Sequence, residues 1–227
     1  MFVGHYSVAF AVKTEKNKIP LWVLFVAVQL LDFVWAPFVL LGIEKVRIVP
    51  GITATSPLDL YYMPYTHSLV GALVWSGVTF FIYKLVAGAR ASNAAALLVA
   101  IAVFSHWILD LIVHRPDLAI YDDTLKVGFG LWNYRAIEFG LEIGLLVIGM
   151  IIYLKRNSAV ARKAAVIIFV LVLILIQAGN TFTGRRPISS DRVLAITALI
   201  FYTVFAGVAF FLEKRHLIGT AGSGENQ

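Results

Sequence analysis

The chain contains no cysteine. That excludes disulfides and thiolate metal sites, so any metal must rest on His, Asp or Glu. Charge is also scarce: 14% of the 227 residues are Asp, Glu, Lys or Arg, against about a quarter in soluble domains. With 60% hydrophobic residues and a mean hydropathy of +0.85, the chain reads as one polytopic membrane domain, too short to add a large soluble one. Its net charge of +6 does not point to nucleic acid, because the basic residues fall in short clusters between apolar runs. That is the pattern of membrane-orientation signals. No small-residue cleavage site follows the first long apolar run, so no cleavable signal peptide is expected.

What the chain has in abundance is apolar length. Spanning hydrocarbon takes about 20 apolar residues as a helix. Segments 21–43, 66–86, 94–113, 136–154, 164–178 and 193–212 meet or approach that length. The expected fold is an all-α polytopic membrane helical bundle of about six transmembrane helices over residues 1–218, with a disordered tail over 219–227. Residues 1–12, "MFVGHYSVAFAV", are apolar but too short to span. They form either an interfacial helix or a re-entrant one, which would carry His5 to about the depth of Asp32 and make contact between the two plausible. Lys13, Lys16, Lys18, Arg90, Lys155, Arg156, Arg162, Lys163, Lys214 and Arg215 share one side. This bias predicts both termini in the cytoplasm of a bacterial or archaeal inner membrane. Tyr61, Tyr62, Tyr65, Trp132 and Tyr134 supply an aromatic belt at the other boundary.

Ionisable groups inside such helices cost roughly 2.5–3.5 kcal/mol each, so they need partners. Asp32, His106, Asp110, Glu138 and Glu142 lie within spans, and His5, His67 and His114 near span ends. No Lys or Arg at mid-span neutralises them, and a bound divalent cation compensates them all. His106 and Asp110 stand one turn apart on one face; His114 continues that face to Arg115-Pro116, where the helix is expected to end. Glu138 and Glu142 form a second such pair, with Gly140 and Gly144 opposite as a close-packing stripe. His5, Asp32, His67, His106, Asp110, His114, Glu138 and Glu142 form the candidate ligand set. Such a His/carboxylate set suits zinc, as one ion or two with a bridging carboxylate. Plainer readings exist for several polar residues. His5 can be a helix-to-helix hydrogen bond, Glu138 a partner of Arg135, Asp59 a turn residue after Pro57, and Asp117 a solvated loop residue.

"YTHSLVGAL", with Thr66-His67-Ser68, followed by "HWILDLIVHRPD", resembles the family of predicted membrane-bound metal-dependent hydrolases. Those are small bacterial inner-membrane proteins with a T-H-S motif and a later H-x-x-x-D. The order of polar residues is also similar to that of zinc-dependent phospholipase C and related single-strand nucleases. The resemblance covers His5 to Glu142. It implies that His67, His106 and Asp110 are metal ligands, with Asp110 able to bridge two ions. Asp32 corresponds to the carboxylate that precedes the T-H-S histidine, and His5 to the N-terminal histidine. Where the phospholipases end their site with His-x-x-x-Glu or Asp, this chain carries Glu138-x-x-x-Glu142.

The expected function is a membrane-embedded metal-dependent hydrolase acting on a lipid or lipid-linked phosphoester, with phosphoester ahead of acyl ester as the scissile group. Membrane lipids are the expected partners. Asp32 or Glu142 serves as general base, and Arg115, Arg185 and Arg186 steer an anionic headgroup. Two other classes stay open: a divalent-cation or proton transporter, and a non-catalytic scaffold with a structural metal.

Overall fold

The computed structural model describes residues 1–88, 92–157, 163–183 and 190–221, with side chains to residue 213. Five helices are long and apolar enough to cross a membrane: α4 (Leu69–Ala87), α5 (Asn93–Val113), α6 (Arg135–Arg156), α7 (Lys163–Phe182) and α8 (Asp191–Ala221). Helices satisfy their own backbone polar groups, as hydrocarbon demands. Their outward faces expose Val74, Phe81, Ile148 and Leu175. This is the build of an integral membrane protein. α4 and α5 begin at serine caps, the hydroxyls of Ser68 and Ser92 accepting from the N–H groups of Gly71 and Ala95. α5 ends as expected: His114 is already extended ahead of Pro116. α7 runs on through "GNTF" to Phe182.

The expected first span is not one straight helix. α2 (Leu21–Val28) and α3 (Leu30–Leu40) meet at Gln29 with a bend of 52°. Counted as one broken crossing, the pair brings the spans to six. Gln29 is fully buried and donates from its amide to the Phe2 carbonyl, 3.3 Å away. A buried amide needs a partner, and the bend presents this one to the N-terminal segment. That segment is a 3-10 turn (Val3–His5) running into α1 (Tyr6–Val12). Tyr6, Ala9 and Phe10 are fully buried, packed against α2 and α6. The short helix therefore lies inside the bundle, not on a surface.

Its seat on α6 is Gly149, where a Cβ would lie 2.4 Å from the Ser7 carbonyl oxygen and 2.7 Å from its Cα. Gly140 and Gly144, the expected close-packing stripe, have nothing within 4 Å of an added Cβ. The close approach is further along the same helix. Beneath α1, the rings of Phe2, Tyr6, Phe10, Phe25, Phe169 and Phe205 pack against one another, with centroids 4.6–6.1 Å apart.

One feature has no counterpart in the sequence reading. β1 (Lys45–Ile48) pairs antiparallel with β2 (Leu58–Tyr62) at one end of the bundle. Asp59 is consequently a strand residue rather than a turn after Pro57. It faces Arg47 across the hairpin, 2.5 Å from its guanidinium, and also binds Arg115. Opposite charges placed across a strand pair hold its register. α8 is helical through Ala221, so the first three residues of the expected tail are helix. Residues 222–227, Arg90, Arg162, Arg185 and Arg186, and the side chains of Lys214 and Arg215, lie outside the described residues.

Candidate metal centre

Four parts of the fold meet near the hairpin end. The N-terminal turn brings His5, α3 brings Asp32, the approach to α4 brings His67, and α5 brings His106 and Asp110, with His114 just past its end. The four histidines and Asp110 are at most 3% exposed. Asp110 stands in the middle. Its Oδ1 takes the Met1 amine at 2.5 Å and His5 Nε2 at 3.1 Å. Its Oδ2 faces the Nε2 atoms of His106, His114 and His67 at 3.1, 3.5 and 3.9 Å. Asp32 Oδ1 completes the group, 3.3 Å from His67 Nε2 and 3.8 Å from His106 Nε2. His5 stacks on His106 with ring centroids 3.9 Å apart. His5 thus contacts Asp110, not the Asp32 that depth alone suggested.

The hydrogen bonds of the far ring nitrogens place a hydrogen on Nδ1 of His106, His67 and His114. His106 Nδ1 lies 2.8 Å from the Val28 carbonyl at the α2–α3 break. A carbonyl only accepts, so this nitrogen carries a hydrogen. His67 Nδ1 lies 2.7 Å from the Thr66 hydroxyl. That hydroxyl spends its single hydrogen on Glu44 Oε2 at 2.6 Å, so it accepts from His67. His114 Nδ1 donates to Asp117 Oδ1 at 2.9 Å. In each neutral ring, Nε2 is left with a bare lone pair.

With the rings neutral, three lone pairs point at carboxylate oxygens, and either a second ring proton or a cation supplies the missing positive partner. Acceptor facing acceptor is repulsive, the more so in a low-dielectric interior. His106 Nε2 is buried without a hydrogen-bond partner. A cation held by Asp32, His67 and His106 relieves the contacts of those rings. Two sets have ligand atoms within 4.8 Å of one another: His5 with His106 and Asp110, and Asp32 with His67 and His106. The second set is the stronger. In the first, hydrogen bonds from His5 and the Met1 amine already satisfy Asp110 Oδ1; in the second, no donor stands between the atoms. These buried His/Asp groups can hold a metal ion.

The supporting shell was not legible in the sequence. Glu44, 1% exposed, accepts from the Tyr65 and Thr66 N–H groups at 2.9 Å as well as from the Thr66 hydroxyl. It fixes the proton on His67 from two bonds away, the arrangement that orients metal-bound imidazoles. Trp107 donates to the His67 carbonyl at 3.0 Å, and the Tyr202 hydroxyl to Asp32 Oδ2 at 2.7 Å. Asp117 is 5% exposed and bonded to His114 and Arg115, not a solvated loop residue. The only sequence signal for Glu44 is the threonine placed beside the T-H-S histidine. Glu44→Gln lets the new amide donate to Thr66, whose hydrogen then turns to His67 Nδ1 and pushes the ring proton onto Nε2. Metal affinity is expected to drop about 10–100-fold. A zinc titration that gives an unchanged affinity removes Glu44 from this role.

The remaining expected site residues have other partners. Glu142 accepts from the N–H groups of Phe2 (3.0 and 3.1 Å) and Gly4 (2.9 Å), and so anchors the N-terminal turn. Glu138 is buried, with the Gln177 amide 3.5 Å away, while Arg135 donates to the Ala54 carbonyl at 2.9 Å. Arg115 is turned towards Asp59 and Asp117. A cavity of about 660 Å³ joins these groups: Asp32, His67, Asp110, His114, Glu138 and Glu142 all line it. The chain matches no family model, no curated protein and no solved structure.

Proposed function

We propose that the protein is a membrane-embedded metal-dependent hydrolase of lipid or lipid-linked phosphoesters, as the T-H-S and H-x-x-x-D resemblance implies. The observation that carries the reading is the convergence of the His67, His106 and His114 Nε2 atoms on Asp32 and Asp110 at the wall of a cavity large enough for a headgroup. Zinc, which this donor set suits, supplies charge that acidifies water and draws electron density from a phosphoryl oxygen.

The chain's own residues supply the rest. Asp32, His67 and His106 would hold the ion, with Asp110 Oδ2 beside them at 3.1 Å from His106 Nε2, and Asp117 would keep His114 turned to the cavity. Asp32 or Glu142, which both line the cavity, would take the proton of the attacking water or orient it. A transporter needs polar steps beyond the centre, whereas beneath it, among the described residues, the Phe2, Phe25, Phe169 and Phe205 rings close the bundle. A scaffold has no use for the cavity.

The test is to purify the protein in detergent, assay bound metals, and incubate it with phospholipids and polyisoprenyl phosphates. Phosphate or headgroup release should stop with chelator and return with zinc. Metal-loaded protein that cleaves nothing in the panel overturns the hydrolase reading in favour of scaffold or transporter.

A further inference from the structure

The cavity has an opening that a metal centre does not require. Its far wall is built from the last turns of α7, with Gln177 and Thr181, and the first turns of α8, with Leu194, Thr197 and Phe201. At the opposite end of the same two helices, Phe169 and Phe205 meet with ring centroids 6.1 Å apart, and Phe205 also meets Phe2. α8 packs along α2 and α3 and α7 along α6, so little else holds the two together. Thr197 and Phe201 are both lining and exposed. Among the described residues, the α7–α8 seam is thus closed by rings at one end and faces the cavity at the other. Both helices are long and apolar enough to cross a membrane. What enters sideways between them comes from the bilayer.

Gln177 adds the chemistry of the ligand. It is 4% exposed, lines the cavity, and has a buried Oε1 with no hydrogen-bond partner. Its Nε2 is 3.5 Å from Glu138 Oε1. A buried amide oxygen is rarely left without a donor, and the space beside it is the cavity. A carboxylate next to an unpaired amide acceptor repels anions and suits hydroxyl groups. Leu194 and Phe201, in contrast, offer hydrocarbon to an acyl chain.

We propose that the α7–α8 seam admits one phospholipid with a hydroxyl-bearing headgroup, whose hydroxyl donates to Gln177 while its acyl chains leave between Thr197 and Thr181. The position of its phosphoryl group at the His/Asp cluster rests on the hydrolase reading; the seam itself does not.

The full-length protein is reconstituted in nanodiscs with phosphatidylglycerol carrying a diazirine on an acyl chain, and separately with phosphatidylcholine labelled identically. Phosphatidylglycerol adducts should concentrate several-fold on residues 176–183 and 194–201, and phosphatidylcholine adducts should not. Gln177→Leu should erase that difference. Thr197→Trp, at the exposed mouth, should suppress adducts on the Gln177 turn while bound zinc is unchanged. Adducts spread evenly around the bundle, or equal labelling by the two lipids in the unmodified protein, overturn the proposal. Labelling needs no turnover. Phosphatidylglycerol seated at the seam without cleavage sinks only the hydrolase reading, and cleavage without seam adducts sinks only this one.

Discussion

Asp110→Asn yields protein that purifies without metal and shows no metal-dependent turnover. The substitution keeps the shape of the side chain and removes the charge on which four imidazoles and the Met1 amine converge. The amide presents one oxygen and two N–H donors. Whichever way it turns, one side of the group loses its acceptor. The loss in zinc affinity should exceed the roughly 10–100-fold typical of changes one shell further out. Elemental analysis of the purified protein and a zinc titration read it directly. His106→Ala should match it, because His106 belongs to both candidate ligand sets. His5→Ala should cost much less, since a hydrogen bond to Asp110 Oδ1 already accounts for that ring. Full metal occupancy in the Asp110 variant would show that the ion does not rest on Asp110. In the unmodified protein, chelation should lower thermal stability and added zinc should raise it again, as for any ligand that binds only the folded state.

The second large effect needs no ionisable group. Gly149→Ala should destabilise the protein by about 1–3 kcal/mol, the usual cost of overpacking a close contact, and should loosen the centre as well. The new methyl lies 2.4 Å from backbone oxygen of Ser7, which cannot rotate away as a side chain can. α1 must move off α6, and the turn carrying His5 moves with it. Gly144→Ala on the same helix is the control. Nothing lies within 4 Å of its added methyl, so alanine's better helix propensity, worth up to about 1 kcal/mol, acts unopposed. Melting temperatures in one detergent and zinc titrations on both variants check the pair. Equal behaviour of the two would mean that α1 does not rest on Gly149.

The contrast between these glycines shows what sequence does and does not carry. Gly140 and Gly144 have the spacing of a packing motif, yet spacing does not say which face meets a neighbour. α4 to α8 were legible because a membrane span is a local property: about 20 apolar residues suffice. His106 and Asp110 were legible for a related reason, since two ionisable groups one turn apart inside such a run have few inert explanations. Asp32 stood out likewise. Glu44 did not. A carboxylate at the edge of an apolar run reads as interfacial, and only the closed fold brings it to Thr66, 22 residues on. Asp117 looked solvated because its partners, His114 and Arg115, fold back over it after the helix ends. The break at Gln29 was hidden in the same way: its partner is the Phe2 carbonyl, and hydropathy averages run smoothly through a single buried glutamine.

The N-terminal turn has a consequence for how the molecule is made. Phe2 and Gly4 are held by Glu142, 138–140 residues away in the chain, and α1 rests on the glycine at 149. At about 5–20 residues per second, the ribosome takes roughly 7–30 seconds after making the turn to produce this dock. The turn is therefore made well before the helix that seats it. During that interval the imidazole of His5 waits outside a bundle whose other histidines are still being threaded into the bilayer. The metal centre closes only after α6 has been made, so a ribosome stalled before α6 leaves membrane helices in place but no complete site.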